Sequence, residues 1–264
     1  MDDVLVTRDG AVATVTLNRP DRLNAMSLAM VERLRAMLAA LAVDAETRAV
    51  VLTGAGRGFC AGGDMSDLAS GGSGDALARP GGLTALVRSC TTIAETLRSM
   101  PKAVIAAVNG PCAGAGMSLA CAADVRLASA DAVFTTAFVA AGQTGDYGLA
   151  WTLPRLVGGG RARELFLTGR RVDADEAARI GLVEEVCAGE ALLARADALA
   201  ATIAARAPLT VAGIKASLAD GETLDFAAFL DRESERYEAN ARTEDATEAA
   251  RAFMEKRDPV FRGR

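Results

Sequence analysis

Two glycine-rich stretches and one isolated acid are the residues of this 264-residue chain whose types and spacing can do chemistry. The first stretch, RAVVLTGAGRGFCAGGDMSDL (48–68), opens with Ala49–Leu52, a short apolar run bounded by turn residues that reads as a buried strand. It then places Gly54, Gly56, Gly58, Gly62 and Gly63 ahead of Asp64. Glycines this dense let a backbone pass close to a ligand or adopt positive φ. Amides freed in such a turn can point at an anion or a developing oxyanion. The second stretch, NGPCAGAG (109–116), also follows a buried strand, Ala103–Val108, and opens a helix. An amide near Ala115, at that helix start, would donate with the helix dipole behind it. Close helix–strand packing through Gly114 and Gly116 is the plainer explanation for this stretch alone. Paired with Gly63, two amides can converge on one oxygen.

The isolated acid is Asp146, in QTGDYGL (143–149), just before a helix. Capping that helix would explain it as well as catalysis would. Its claim as a base comes from what the chain lacks, for there is no histidine. That removes Ser-His-Asp and Cys-His catalysis, most catalytic zinc sites and imidazole acid–base chemistry. A carboxylate at a helix mouth in an apolar stretch is then the best general base. Phe134 and Phe138, upstream, are core residues in the simplest reading and can also line an acyl pocket. Ser118, in GMSLA, lacks the last glycine of a G-x-S-x-G elbow and has no histidine to activate it, so it reads as a small helical residue. Gly54, Gly56 and Gly58 follow GxGxG, and no GxxxxGK[ST] occurs, so nucleotide-loop readings fail on spacing. Arg19, Arg22 and Arg57 flank the glycine turns; each alone reads as a solvated charge, and together they could meet phosphates.

Composition narrows the class. The net charge of −5 argues against a general nucleic-acid surface. Five cysteines without CxxC spacing read as free thiols in a reducing compartment. The acidic start MDDVLVTRDG lacks the apolar core of a signal peptide, and no apolar run reaches membrane-spanning length. The expectation is a cytoplasmic protein with no membrane or nucleic-acid partner, no metal and no redox cofactor.

The elements that must position these residues alternate. Val4–Thr7 and Ala11–Leu17 flank the hairpin signal Asp9-Gly10. Ser27 is a plausible N-cap for a helix over Leu28–Ala42. Helices are expected over Leu83–Arg98 and Ala113–Ala123, strands over Asp124–Ala128 and Ala132–Thr136, and mostly helix from Leu149 on, with a short strand at Val183–Val186. Such alternation predicts an α/β protein with a mostly parallel sheet and late helices that cover it or mediate assembly. The polar, Gly-rich segment Ala69–Gly82 reads as a surface loop or a substrate-gating lid.

The segments TLNRPDRLNAMS (16–27), VVLTGAGRGFCAGGDMSDL (50–68), KAVIAAVNGPCAGAGMSLACAADVRLAS (102–129), LPRLVG (153–158) and AFMEKRDPVFRGR (252–264) together resemble the crotonase (enoyl-CoA hydratase/isomerase) superfamily over essentially the whole chain. Within it they look most like 1,2-epoxyphenylacetyl-CoA isomerase-type members, allied to Δ3,Δ2-enoyl-CoA isomerases. The resemblance implies a crotonase-like spiral of ββα turns over residues 1–200 and a helical trimerisation region over 201–264, in a homotrimer or a dimer of trimers. It implies an acyl-CoA thioester substrate, with coenzyme A as part of that substrate and no separate cofactor. The thioester oxygen would lie between the amides of Gly63 and Ala115. Arg22, Leu23, Ala25, Ala61, Gly62, Asp64, Leu68, Gly114 and Phe138 would bind substrate, with Arg22, Leu23 and Ala25 near the adenine end. The tail around Phe261 would approach a CoA in the assembly.

The chain departs from the pattern where the family's hydratases carry two glutamates, for those positions hold Ser118 and Phe138. In the isomerase-like branch an aspartate of the next loop is the acid/base, and Asp146 matches it. The resemblance therefore implies an isomerase of an enoyl- or epoxyacyl-CoA. An enoyl-CoA hydratase and a CoA-binding subunit without turnover stay open as alternatives.

Overall fold

The structure, a computed structural model, describes residues 2–64 and 79–264. Leu68 and most of the 69–82 segment expected as a loop or lid lie outside them. The chain begins with the hairpin β1 (Val4–Asp9) and β2 (Val12–Leu17), then α1 (Leu28–Val43) and β3 (Ala49–Gly54). Next come α2 (Gly82–Ser99), β4 (Ala103–Val108), β5 (Cys112–Ala113), α3 (Ala115–Ala122), β6 (Val125–Ser129) and β7 (Val133–Thr135). The short helices α4 (Leu149–Val157) and α5 (Gly159–Thr168) follow, then β8 (Val172–Asp173), α6 (Ala174–Arg179) and β9 (Glu185–Cys187). Four helices end the chain: α7 (Leu192–Ala204), α8 (Pro208–Gly221), α9 (Phe226–Ala241) and α10 (Glu244–Glu255).

One sheet runs in the order β1-β2-β3-β4-β6-β9, parallel from β2 onward, and a second, smaller one runs β5-β7-β8. This matches the α/β spiral that the resemblance implies, with strands in two sheets and helices between them. Strand alternation splits the core in two. Val50, Leu52, Val104 and Ala106 face one way, into Leu34, Leu38, Ile93, Leu97 and Met117 of the α1–α3 layer. Ala49, Val51, Ile105 and Ala107 face the other, onto Leu192, Ala196, Ala200 and Ala204 of α7. Both faces being covered explains why these strands are apolar throughout. No single helix among the described residues is long and apolar enough to cross a membrane.

Parallel registry fixes where the loops emerge. Leu17 of β2 is level with Gly54 of β3, and β4 runs beside β3 in the same direction. The segments after β2, β3 and β4 therefore leave from one edge of the sheet, where ligands of open α/β sheets collect. Two asparagines tie them together. Asn24, fully buried at φ 57, donates to Ala55 O at 2.9 Å and Gly58 O at 2.7 Å and accepts from Arg19 N. Asn109 donates to Gly54 O and Gly56 O, both at 2.9 Å.

Two sequence expectations shift. The helix foreseen over Ala113–Ala123 is broken by Gly114, at φ 49, into the strand β5 and the helix α3, because Cys112 and Ala113 pair with Phe134 and Thr135 of β7. β8 was not foreseen; two residues carry no periodicity. The late helices form as expected, but α8 and α9 bury no residue of their own in the single chain. Lys215 of α8 anchors them, donating to Leu97 O, Lys102 O and Asp124 Oδ2.

Close approach leaves no room for a side chain at Gly54, Gly110 and Gly116. A Cβ on Gly116 would sit 2.3 Å from Cys60 O, backbone that cannot yield. Gly116→Ala should lose about 3 kcal/mol in chemical denaturation, the upper end of the usual cost of overpacking. By contrast, Gly160→Ala, in the exposed first turn of α5 with open space around it, should gain up to about 1 kcal/mol. Asn24→Ala strands one buried and one half-buried carbonyl and should cost about 1–3 kcal/mol in the same assay.

Candidate active site

The first glycine stretch ends in a short parallel ladder with the segment after β2. Ala61 N donates to Leu23 O, Met26 N to Gly62 O and Asp64 N to Met26 O, at 2.8–2.9 Å. In such a ladder only alternate residues of a strand bond to a given neighbour. Met26 thus bonds on either side of Gly63 and leaves the Gly63 amide turned away from it. On the opposite side Gly62 meets the second glycine stretch: a Cβ there would be 3.1 Å from Ala113 O and 3.7 Å from Ala115 N. Ala115 is the first residue of α3, where helix geometry leaves an amide unpaired. Neither the Gly63 nor the Ala115 amide donates a hydrogen bond among the described residues. Two unpaired donors on touching loops are what a developing oxyanion requires.

Leu23, Ala25, Ala61, Gly62 and Asp64 are thus gathered on one ladder beside Gly63 and Gly114. Asp64 does more than line it. Its carboxylate pairs with Arg19 Nη2 at 2.9 Å while Arg19 Nη1 donates to Ala25 O at 2.5 Å. Arg19, read as a solvated charge, is instead the strut of the ladder. Arg22 and Arg57 are exposed and carry no ion pair among the described residues. Their loops pack together, since a Cβ on Gly56 would lie 3.0 Å from Pro20 Cβ. Phe138 is buried, stacked on Phe166 with ring centroids 6.1 Å apart, and its edge faces Gly114. Phe134 is plain core.

Asp146 stands on a contorted loop. Gly142, Gly145, Tyr147 and Gly148 all have positive φ, and Tyr147 at 45° is a conformation that side chains rarely take. Such outliers cluster where structure over-determines a site. The Asp146 side chain does not cap α4; Gly148 holds that position without any side-chain bond. Instead Asp146 Oδ1 accepts from Ser118 Oγ at 3.4 Å, and Asp146 O lies 3.2 Å from the same hydroxyl. Ser118, which the sequence reading set aside, thus touches the acid. Its signal was its place on the helix that begins at Ala115, visible only once the 146 loop folds over it.

Burial pushes the Asp146 carboxyl up to about 6, and the Ser118 hydrogen bond only partly opposes that. Three ionisable groups feel its charge: Cys60, Cys90 and Tyr147. Burial pushes the Cys60 thiol up to about 12 and raises the Cys90 thiol and the Tyr147 phenol as well, so all three stay neutral when Asp146 ionises. Cys112 and Cys121 are buried nearby, and burial raises both thiols likewise. No lysine or arginine pairs with Asp146 among the described residues, and no cluster of three His, Cys, Asp or Glu there is placed to hold a metal.

Residues 7–264 match the enoyl-CoA hydratase/isomerase family profile. The chain is 36% identical to 1,2-epoxyphenylacetyl-CoA isomerase of Escherichia coli K12, with 100% of each covered. It is also 36% identical to a short-chain-enoyl-CoA hydratase of Clostridium acetobutylicum, over 97% of this chain and 96% of the relative. The crystal structure of an enoyl-CoA hydratase from Bacillus anthracis superposes with a TM-score of 0.93 at 35% identity, each chain covered completely. Isomerase and hydratase names thus both occur among the relatives, while fold, length and profile agree. The chain belongs to the enoyl-CoA hydratase/isomerase family of enzymes.

Proposed function

We propose that this enzyme isomerises an enoyl- or epoxyacyl-CoA thioester through an enolate. The Gly63 and Ala115 amides would hold the thioester oxygen and Asp146 would act as acid/base. The observation that carries this reading is the standing of Asp146: a partly buried carboxylate, unpaired with any cation among the described residues, that burial pushes up to about 6. For an enoyl substrate, two amides on the thioester oxygen acidify the neighbouring C–H; one such donor is typically worth roughly 10²–10³ in rate. Asp146 takes that proton while the C–H electron pair moves into the thioester. The proton then returns at another carbon as the double bond shifts. One carboxylate suffices, and no water enters the balance. Ser118 and Phe138, at the positions where the resemblance puts the hydratase glutamates, supply no carboxylate there for holding water. Coenzyme A serves as the handle of the substrate, within reach of Arg22 and Arg57. Ile214, Leu218, Phe226, Tyr237 and Phe253, exposed on the last helices, support assembly as a homotrimer or a pair of trimers.

In deuterium oxide the wild-type enzyme should exchange α- or γ-hydrogens of an enoyl-CoA, read by mass spectrometry, and Asp146→Ala should slow this about 10²–10⁴-fold. Undiminished exchange in that variant would remove Asp146 as the base. Rapid 3-hydroxyacyl-CoA formation from crotonyl-CoA would mark a hydratase, and tight binding of a varied thioester panel without turnover a non-catalytic subunit.

Asp146 must be ionised to act, so kcat/KM should rise with pH around a midpoint near 6 and level off above it. The same shift has a stability consequence. The native carboxyl, at about 6 against an ordinary 3.8, binds its proton more tightly than the unfolded one. Its ionisation therefore weakens the fold as pH rises through that window. Asp146→Asn should accordingly raise stability at pH 8 by up to about 3 kcal/mol, two pKa units at 1.36 kcal/mol each, and leave it unchanged below pH 4.

A further inference from the structure

The two oxygens of the Asp146 carboxylate have different surroundings. Oδ1 faces the Ser118 hydroxyl at 3.4 Å. Oδ2 takes no hydrogen bond among the described residues; no unpartnered side-chain oxygen there is sealed from solvent, so Oδ2 opens outward. Ser118 itself is wholly buried on α3, and its hydroxyl also lies 3.1 Å from Gly114 O and 3.2 Å from Asp146 O. We propose that Ser118 is the positioning residue of the acid/base: it ties Oδ1 to α3, so that Oδ2 is the oxygen that takes and returns the substrate proton. The inference rests on the proposed role of Asp146 and gives that role a geometry.

A hydroxyl has one proton to give and two lone pairs. While Asp146 is ionised, that proton is best placed on Oδ1, where it meets a full charge. When the substrate C–H bond breaks, its electron pair stays on the substrate as enolate and the proton bonds to Oδ2. The acid is now neutral, and the Ser118 proton can turn to Gly114 O or Asp146 O without leaving the pocket. On the return the O–H bond at Oδ2 breaks, a C–H bond forms at the other carbon, and Ser118 turns back. Both charge states of Asp146 are thereby served by one side chain. The same hydroxyl reaches the carbonyl of Gly114, the residue before the Ala115 donor, so base and oxyanion hole share one anchor.

Asp146 is faced by Ser118 from α3, the Cys60 thiol from the first glycine stretch, the Cys90 thiol from α2 and the Tyr147 phenol from its own loop. The last three keep their protons in the range where Asp146 titrates, so its midpoint is a clean readout. The test is a ¹³C NMR pH titration of the substrate-free enzyme labelled with ¹³C-aspartate, the Asp146 signal being assigned by its loss in Asp146→Asn. Ser118→Ala removes a bond that favours the charged form, so the midpoint should rise by about half to one pH unit. Ser118→Thr, which keeps the hydroxyl, should stay near wild type. The rising limb of kcat for deuterium exchange should move with the NMR midpoint in Ser118→Ala, while KM stays near wild type. A midpoint that stays or falls in Ser118→Ala, or a shift that Ser118→Thr shares in full, overturns the proposal. Because the titration uses no substrate, it judges Ser118 even where exchange in Asp146→Ala has removed Asp146 as the base.

Discussion

Gly116 and Cys60 are packed with no room for a side chain between them, and that contact sets the spacing of the site. It presses the start of α3 against the strand-like run that ends in Gly63. Two peptide amides are then left unpaired on touching loops, one by the alternation of a parallel ladder and the other by the beginning of a helix. Backbone held this rigidly need not reorganise when negative charge develops, which makes electrostatic stabilisation effective in enzymes. The asparagines, the Arg19–Asp64 pair and the covered sheet faces all serve to keep this one approach fixed.

Asp64 and Asp146 show how surroundings divide labour between like residues. Asp64 meets a guanidinium at 2.9 Å and its charge is spent on structure. Asp146 takes one side-chain hydrogen bond, from Ser118, and is otherwise faced by neutral groups, so burial makes its charge the more costly and its proton the more readily held. The loop bearing it departs from ordinary backbone four times in seven residues, from Gly142 to Gly148. Only Tyr147 among the four is strained there, since glycine takes positive φ freely.

The parts of this structure governed by local pattern were legible in the sequence. Buried strands at Ala49–Leu52 and Ala103–Val108, each followed by glycines, announced two close backbone approaches, and the parallel α/β class followed from the alternation of elements. The absence of histidine directed attention to Asp146. What stayed hidden depends on contacts between distant segments. Arg19 reads as a solvated charge, and Asn24 carries no signal of its own, until the 55–64 segment supplies their partners. Ser118 looked like helix filler because its neighbour in space is 28 residues away. Gly114 was placed inside a helix because a two-residue strand carries no period to detect.

The buried thiols around this site give it a chemical temperament. A thioester conjugated to a double bond is an electrophile as well as a carbon acid, and any thiolate nearby would add to its β-carbon. Cys60 and Cys121 are sealed from solvent with thiols pushed up to about 12, and Cys112 is sealed beside them. Nucleophilicity resides in the thiolate, and burial in apolar surroundings withholds it. Small, polarisable side chains thus fill the tight space behind the glycine loops while remaining inert toward the conjugated thioester that the proposed function assigns to those loops.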